Sequence, residues 1–369
     1  YNQTGASNTA IGYQALFGVS TNSHSNNTAI GYLAGSGITT GGTNTIVGAS
    51  SGTSLTSGTG NTFLGTNCGE NTTSDNNVFI GYLTGSTVTS GGENVAIGVN
   101  SLGSTGTKTG SRNTVIGTAN MINATSSSEN TALGHNSCNS LTTGNNNVAV
   151  GRLSLSEATD ISNTVAIGYQ SLDAMTSINN TTGNTQNTAI GYLTLTNANA
   201  TGVSENYSNT AVGYSAGFAV TTGSFNTILG ASAGDALTSG NNNIAIGFQA
   251  LSSASTSSNN IAIGFNAMLS SGSATRCTII GTNSGAINSA NDNTFIGNDA
   301  GKESTGASNT IVGSLGFDAV NCSGTNNTGM GYSVLGSVTT GSNLVAIGYQ
   351  AGASITTASN TVAIGYQAL

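Results

Sequence analysis

The sequence predicts an all-β fold, a parallel β-solenoid of about twenty-one coils, and three observations carry the prediction. A short phrase, Asn-Thr-Ala-Ile-Gly or a near variant, recurs twenty-one times, from Asn8–Gly12 and Asn27–Gly31 through Asn163–Gly168 to Asn360–Gly365. Twelve of the twenty spacings between its glycines are 17 residues, and only the two intervals between Gly168 and Gly213 exceed 19. The pattern runs from the first residues to the last without a break in composition. A period so short holds neither a helix pair nor a propeller blade, but it fits one solenoid turn. Residues 1–369 therefore read as a single continuous repeat domain, expected to be a segment of a longer fibre.

Each element of the coil follows from its column, counted from the repeat glycine as position 0. The residue at −1 is Ile in thirteen copies (Ile11, Ile30, Ile167 and Ile364 among them), Val or Leu in seven, and Met330 once. The residue at −2 is Ala, Ile, Val or Phe in every copy but Gly329. Neighbouring strand residues point to opposite faces, so two adjacent apolar columns mean a strand buried on both sides. One side lines the coil interior, and a partner chain is the simplest cover for the other. The columns alone leave open which of the two faces inward.

Asn stands at −4 in seventeen copies (Asn8 and Asn27 first) and, in three of the other four, at −5, as Asn163, Asn343 and Asn360, so Cys277 reads as the one break in that column. Asn tolerates left-handed backbone, and stacked amides bond along a parallel stack. After Gly12, Gly31, Gly168 and Gly365 comes an aromatic residue at +1, as in eleven copies overall. Position +3 is nearly always small, and +4 is either Gly or a larger apolar residue such as Leu16 or Leu172. This predicts a second short strand packed across a thin coil. Polar, Gly-rich stretches such as Thr142-Thr143-Gly144-Asn145 supply the turns. The two long intervals predict loops near 173–187 and 196–208, bulging from one edge.

Composition narrows the function classes. Five basic residues (Lys108, Arg112, Arg152, Arg276, Lys302) are scattered among thirteen acidic ones, for a net charge of −8. No basic stripe exists to neutralise phosphates, so nucleic acid is not an expected partner. Cys68, Cys138, Cys277 and Cys322 lie in distant coils or different columns, which predicts buried free thiols rather than disulfides. No apolar run suggests membrane insertion in this segment.

Catalysis needs converging groups with an orienting partner. The only histidines, His24 in a loop and His135 at a +1 position, have no carboxylate in register, and Asp292 and Asp299 read as solvated turn residues of different columns. The chain is expected not to be an enzyme, and no cofactor is expected. Seven Asp and six Glu cannot supply a metal cage per coil, and the Gly-Gly-x-Gly-x-Asp motif of calcium rolls is absent, so no metal site is expected. Sequons at Asn2, Asn26, Asn71, Asn123, Asn179, Asn180, Asn199, Asn206, Asn321 and Asn326 would permit glycans, although an Asn- and Thr-rich chain makes them by chance.

The Asn-Thr-Val-Ala-Ile-Gly form at Asn163–Gly168, and its copy at Asn360–Gly365, resembles the head repeat of trimeric autotransporter adhesins, the YadA-like heads. Similar repeats occur in fibre proteins of phages and large viruses. The resemblance spans nearly the whole chain, though the repeat here is longer than the family's and carries added Thr/Ser/Gly-rich loops. It implies a left-handed β-roll in a parallel homotrimer. It also implies an extracellular rod, on a cell or virion surface, that attaches to a host-surface or matrix ligand. The near-phase of the two ends adds the expectation of head-to-tail filaments. The competing expectation is a monomeric surface-binding solenoid of the ice-binding type. Against that rival, Thr at −3 alternates with Val and Ile, which suits a semi-buried strand better than a hydroxyl array.

Overall fold

A computed structural model of the chain describes residues 4–18, 22–103, 106–175, 185–198 and 208–369. The described residues form strands and turns and no helix. Two compact units divide the chain, residues 1–186 and 187–369. Each is a parallel β-solenoid. Strands β1 (Thr9–Ile11) to β10 (Val165–Ile167) build the first, and β11 (Thr188–Ile190) to β21 (Val362–Ile364) build the second. Most are three residues long; β7 (Thr114–Thr118) and β8 (Thr131–His135) run to five. The long loops expected near 173–187 and 196–208 lie largely outside the described residues.

Within each unit every strand pairs in parallel with the next, and like positions meet: Thr28 with Thr45, Ala29 with Ile46, Ile30 with Val47. This register settles the two apolar columns. From β2 onward the −2 side chains are buried, and those at −3 and −1 face outward, half-buried or exposed. Ala166 and Ala245 are fully buried and therefore line the interior, not an interface.

The repeat glycine is required by close approach. Its φ lies between 124 and 146° in every coil, and a Cβ on Gly98 would stand 1.8 Å from the carbonyl oxygen of Gly117. No side chain fits there.

Beyond the glycine the expected second strand does not form. The chain turns instead, with left-handed residues at +2 and +4, such as Leu33 and Leu16. Their N–H groups still bond coil to coil: Leu33 to the Tyr13 carbonyl of the preceding coil at 2.9 Å, Leu16 to the Ala34 carbonyl of the following one at 3.0 Å. Each left-handed non-Gly residue costs roughly 1–2 kcal/mol. Burying a leucine at +4 returns about 1.5–3 kcal/mol, and each ladder bond adds about 1 kcal/mol. Burial decides the balance.

Position +4 also answers to −2 across the interior. Coils with Phe63, Phe79, Phe295, Ile46, Ile228 or Ile279 at −2 carry Gly69, Gly85, Gly301, Gly52, Gly234 or Gly285 at +4. Coils with Ala96, Ala149, Ala166 or Ala245 carry a leucine. The reason is volume: a Cβ on Gly85 would meet the Phe79 ring at 2.4 Å, and one on Gly69 would meet Phe63 at 2.7 Å. Ala29, Ala211 and Ala346 carry Gly35, Gly217 and Gly352, so the relation excludes two large residues rather than requiring a leucine. Ile311 and Phe317 break even that within one coil, and the space comes from Gly316 and Gly329, where a Cβ would meet Ile311 at 2.7 and 3.0 Å. Phe63 and Phe79 stack with centroids 5.2 Å apart.

Two side-chain ladders clamp the coils, and they run in opposite directions. At −4 each buried Asn accepts from the next coil: Asn44 N and Nδ2 both reach Asn27 Oδ1 at 3.0 Å, and Asn44 Nδ2 also donates to Gly58 O at 2.9 Å. At −6 the acceptor lies in the following coil: Gly92 N donates to Ser111 Oγ, Ser111 N to Ser128 Oγ, and Ser128 N to Asn145 Oδ1. The left-handed residue of this turn is −5, between the ladders, as at Asn26, Glu93 and Arg112. Asn163, Asn343 and Asn360 occupy that −5 place, so they do not belong to the Asn ladder. The −4 column is therefore interrupted at Thr164, Cys277, Leu344 and Thr361, not at Cys277 alone. At Cys277 a substitute takes over: Asn288 Nδ2 donates to its Sγ at 3.3 Å, and Asn293 Nδ2 donates to Asn288 Oδ1 at 2.8 Å.

The four cysteines are free and buried. Lys108 is buried as well, bridged to Val88, with Nζ donating to Ile122 O at 2.6 Å and Ala124 O at 2.9 Å.

Candidate functional site: an uncharged outer face

The pleat that buries −2 presents −3, −1 and +1 on one outer face. At −1, Ile11, Leu64, Met330 and Ile364 are each exposed by 46% or more. At +1 the exposed aromatics stack from coil to coil. Tyr13–Tyr32, Tyr192–Tyr214, Phe248–Phe265, Tyr332–Tyr349 and Tyr349–Tyr366 have centroids 5.2–5.5 Å apart and nearly parallel rings. These rings meet face to face, so the column offers ring edges and phenol hydroxyls to its surroundings. Across the three columns no carboxylate occurs, and Arg152 is the only permanently charged residue.

Arg152 lies beside His135, one coil away in the same column. Both are exposed. The Arg152 guanidinium stands over the Tyr169 ring, 5.6 Å from its centroid, and Nη1 donates to the phenol oxygen at 3.3 Å. The other cations have different settings. Arg112 pairs with Glu129 at 2.6 Å, Arg276 with Asp292 at 2.7 Å and Lys302 with Asp299 at 3.5 Å. Lys108 is held by carbonyls inside the coil. Among the described residues, Arg152 alone is exposed without a carboxylate partner.

The corner next to Arg152 holds a cleft of about 110 Å³ lined by Asn136, Asn139, Ser140, Leu153, Ser156 and Glu157. Asn139 Nδ2 donates to Ala119 O at 3.0 Å and to Asn136 Oδ1 at 3.4 Å. Asp173 is already engaged, by Ser156 Oγ and by Gln170 Nε2.

The remaining sequence-predicted positions scatter. His24 is buried, which pushes its pKa below the usual imidazole value, whereas His135 is on the outer face; the fold does not bring them together. Asp292 and Asp299 are indeed in different columns, each beside its own cation. The Arg276 guanidinium holds the Asp292 carboxyl below the usual carboxylate range. Among the repeat positions, Asn27 is buried in the ladder and Ile30 exposed, while Asn8 and Ile167 are half-buried. Of the sequons, Asn26, Asn71, Asn321 and Asn326 are exposed and Asn123 is half-buried; Asn2, Asn179, Asn180, Asn199 and Asn206 lie outside the described residues. No cluster of three His, Cys, Asp or Glu side chains suited to a metal occurs among the described residues.

The residues that sequence reasoning passed over are Arg152, Asn136 and Asn139. A signal was present for two of them, Arg152 as the one Arg or Lys at +1 and Asn139 as the one amide at +5, whereas Asn136 shares its +2 place with the amides of other coils such as Asn67, Asn100 and Asn266. No protein-family model matches the chain, and no curated protein matches its sequence.

Proposed function

We propose that the chain is a non-catalytic fibre or adhesin-head module, exposed on a cell or virion surface, in which three copies associate in parallel as a trimeric, left-handed β-roll. The observation that carries this reading is the outer face, two columns of aliphatic and aromatic side chains flanked by a Thr/Val/Ile column with one charge in its whole extent. Three alternate strand positions span about 13 Å, and ten coils span about 48 Å, on the order of 600 Å² before surface relief is counted. That approaches the ~800 Å² each partner contributes to a standard interface. A patch of this size rarely stays bare on a monomer. Parallel association of identical chains matches each coil with its own copy, so column meets column along the face. Attachment to a host-surface or matrix ligand then falls to the corners and turns outside the shared face, multiplied over three copies.

Sedimentation equilibrium of the native protein tests the assembly, alongside Ile246→Glu and Ile280→Glu, which place a carboxylate on the outer face. Three times the chain mass for the native protein, lost in both variants, is the expected result. A native monomer would overturn the reading and favour a single surface-binding solenoid, ice-binding types included.

A further inference from the structure

We propose that the corner of the eighth and ninth coils, built by His135, Arg152, Asn136, Asn139 and Glu157, is a binding site for an anionic saccharide. The inference rests on the adhesive reading above and supplies the chemistry of the ligand.

Arg152 is the starting point. A guanidinium carries five N–H donors in a planar fork. Tyr169 takes one of them and steadies the group from one side. The others face no carboxylate among the described residues, although the chain carries more than twice as many acids as bases. A second copy in parallel register cannot supply the missing charge, because the outer face contains no Asp or Glu. Its remaining donors are open to another molecule, and a planar fork suits a carboxylate or sulfate. His135 adds a second nitrogen donor one coil away.

The cleft argues that the anion belongs to a sugar rather than to a bare ion. Its volume of about 110 Å³ equals three or four waters, a shelf rather than an enclosed cavity. Asn136 Nδ2, Asn139 Oδ1 and the Glu157 carboxylate have no side-chain hydrogen-bond partner among the described residues. They offer a donor and acceptors to hydroxyl groups in a cleft whose lining includes Asn136 and Leu153, the chain neighbours of His135 and Arg152. No other stretch of the +1 column combines a cation, a histidine and adjoining amides. The cleft residues lie on the turn beyond position +1, so they stay at the polar rim when the outer face is covered. A shallow site binds weakly, and repetition over three copies compensates.

Saturation-transfer NMR on the native protein, with 3′-sialyllactose and with lactose as probes, tests the site, and light scattering on the same sample gives the mass. The expected result is transfer to sialyllactose and not to lactose, reduced at least fivefold in Arg152→Gln and in Asn136→Ala. Equal transfer from both sugars, an unchanged signal in Arg152→Gln, or transfer from neither would overturn the site. So would binding of inorganic sulfate, read by calorimetry, without binding of sialyllactose, which would mark a simple anion site. A trimeric mass with no sugar binding removes this inference and leaves the assembly standing. Sugar binding by a monomer does the reverse.

Discussion

Asn27 Oδ1 accepts two hydrogen bonds from one residue of the next coil, the backbone and the side-chain N–H of Asn44, each at 3.0 Å. One buried oxygen thereby fixes both the height and the rotation of its neighbour. The arrangement recurs at Asn44–Asn61, Asn113–Asn130 and Asn226–Asn243. Removing one rung strands a buried N–H above and a buried carbonyl beside it.

Asn44→Ala should therefore cost about 2–4 kcal/mol, since each unsatisfied buried group costs about 1–3 kcal/mol. In a stack of near-identical coils the damage is local. Hydrogen exchange should rise at Asn61 and in the coils beside it while distant coils stay protected. Uniform protection after the substitution would show that the rung is dispensable.

The exchange of volume between −2 and +4 predicts a rescue. Phe79→Ala alone should cost about 3–5 kcal/mol through the cavity it leaves. Gly85→Leu alone should be at least as damaging, because its Cβ falls 2.4 Å from the Phe79 ring. The double variant reproduces the neighbouring coil, Ala96 with Leu102. It should recover more than half the combined loss in urea denaturation, and strict additivity of the two costs would refute the coupling.

Lys108 predicts an unusual pH dependence. Burial pushes its amine down from the ordinary 10.5 to about 8. Between those values the unfolded chain holds a proton that the folded chain has released, so stability rises with pH across the window. Below pH 8 both states are protonated and the gain is absent. The full gain is about 3 kcal/mol, at 1.36 kcal/mol per pH unit. Denaturation midpoints of the native protein and Lys108→Met, compared from pH 7.5 to 10.5, should shift in the native protein's favour as pH rises. Parallel curves would place the lysine in water.

The thiols should be silent in the folded protein. Burial pushes Cys68, Cys138 and Cys322 up to about 12, and raises Cys277 as well. The reactive form is the thiolate. A colorimetric disulfide reagent at pH 8 should label none of the four within minutes and all four after denaturation. Rapid labelling of any one would identify a coil that opens locally.

Much of this fold was legible in the sequence because the glycine column is enforced by backbone contact and the two apolar columns by the pleat. The direction of the pleat was not, since Ala-Ile reads equally well with either residue inward. The Gly85–Phe79 relation was available from letters alone, but it joins positions six residues apart that only a closed coil brings together. The −6 ladder was hidden by its variety: Ser111, Asn145 and Asp75 share nothing but a side-chain oxygen in one place. Lys108 escaped for a related reason. Extra residues in its turn displace it from the column counted off the glycine, so its interior place opposite Val88 shows only in three dimensions. At the candidate site, Arg152 stood out as a letter, yet its isolation became visible only after the other four cations found their partners.

The opposed ladders also bear on how such a chain changes length. Where the ladders are unbroken, a coil receives from one neighbour the same acceptors that it passes to the other, at −4 in one sense and at −6 in the opposite sense. Excising or duplicating one whole repeat rejoins like to like, an Asn oxygen to an Asn amide and a hydroxyl to a backbone N–H. A cut of any other size mismatches both ladders and inverts the pleat or misplaces the glycine. Recombination between repeats is therefore tolerated in whole steps and rejected in fractions, which makes the length of a solenoid unit a quantity that evolution can adjust about 4.8 Å at a time.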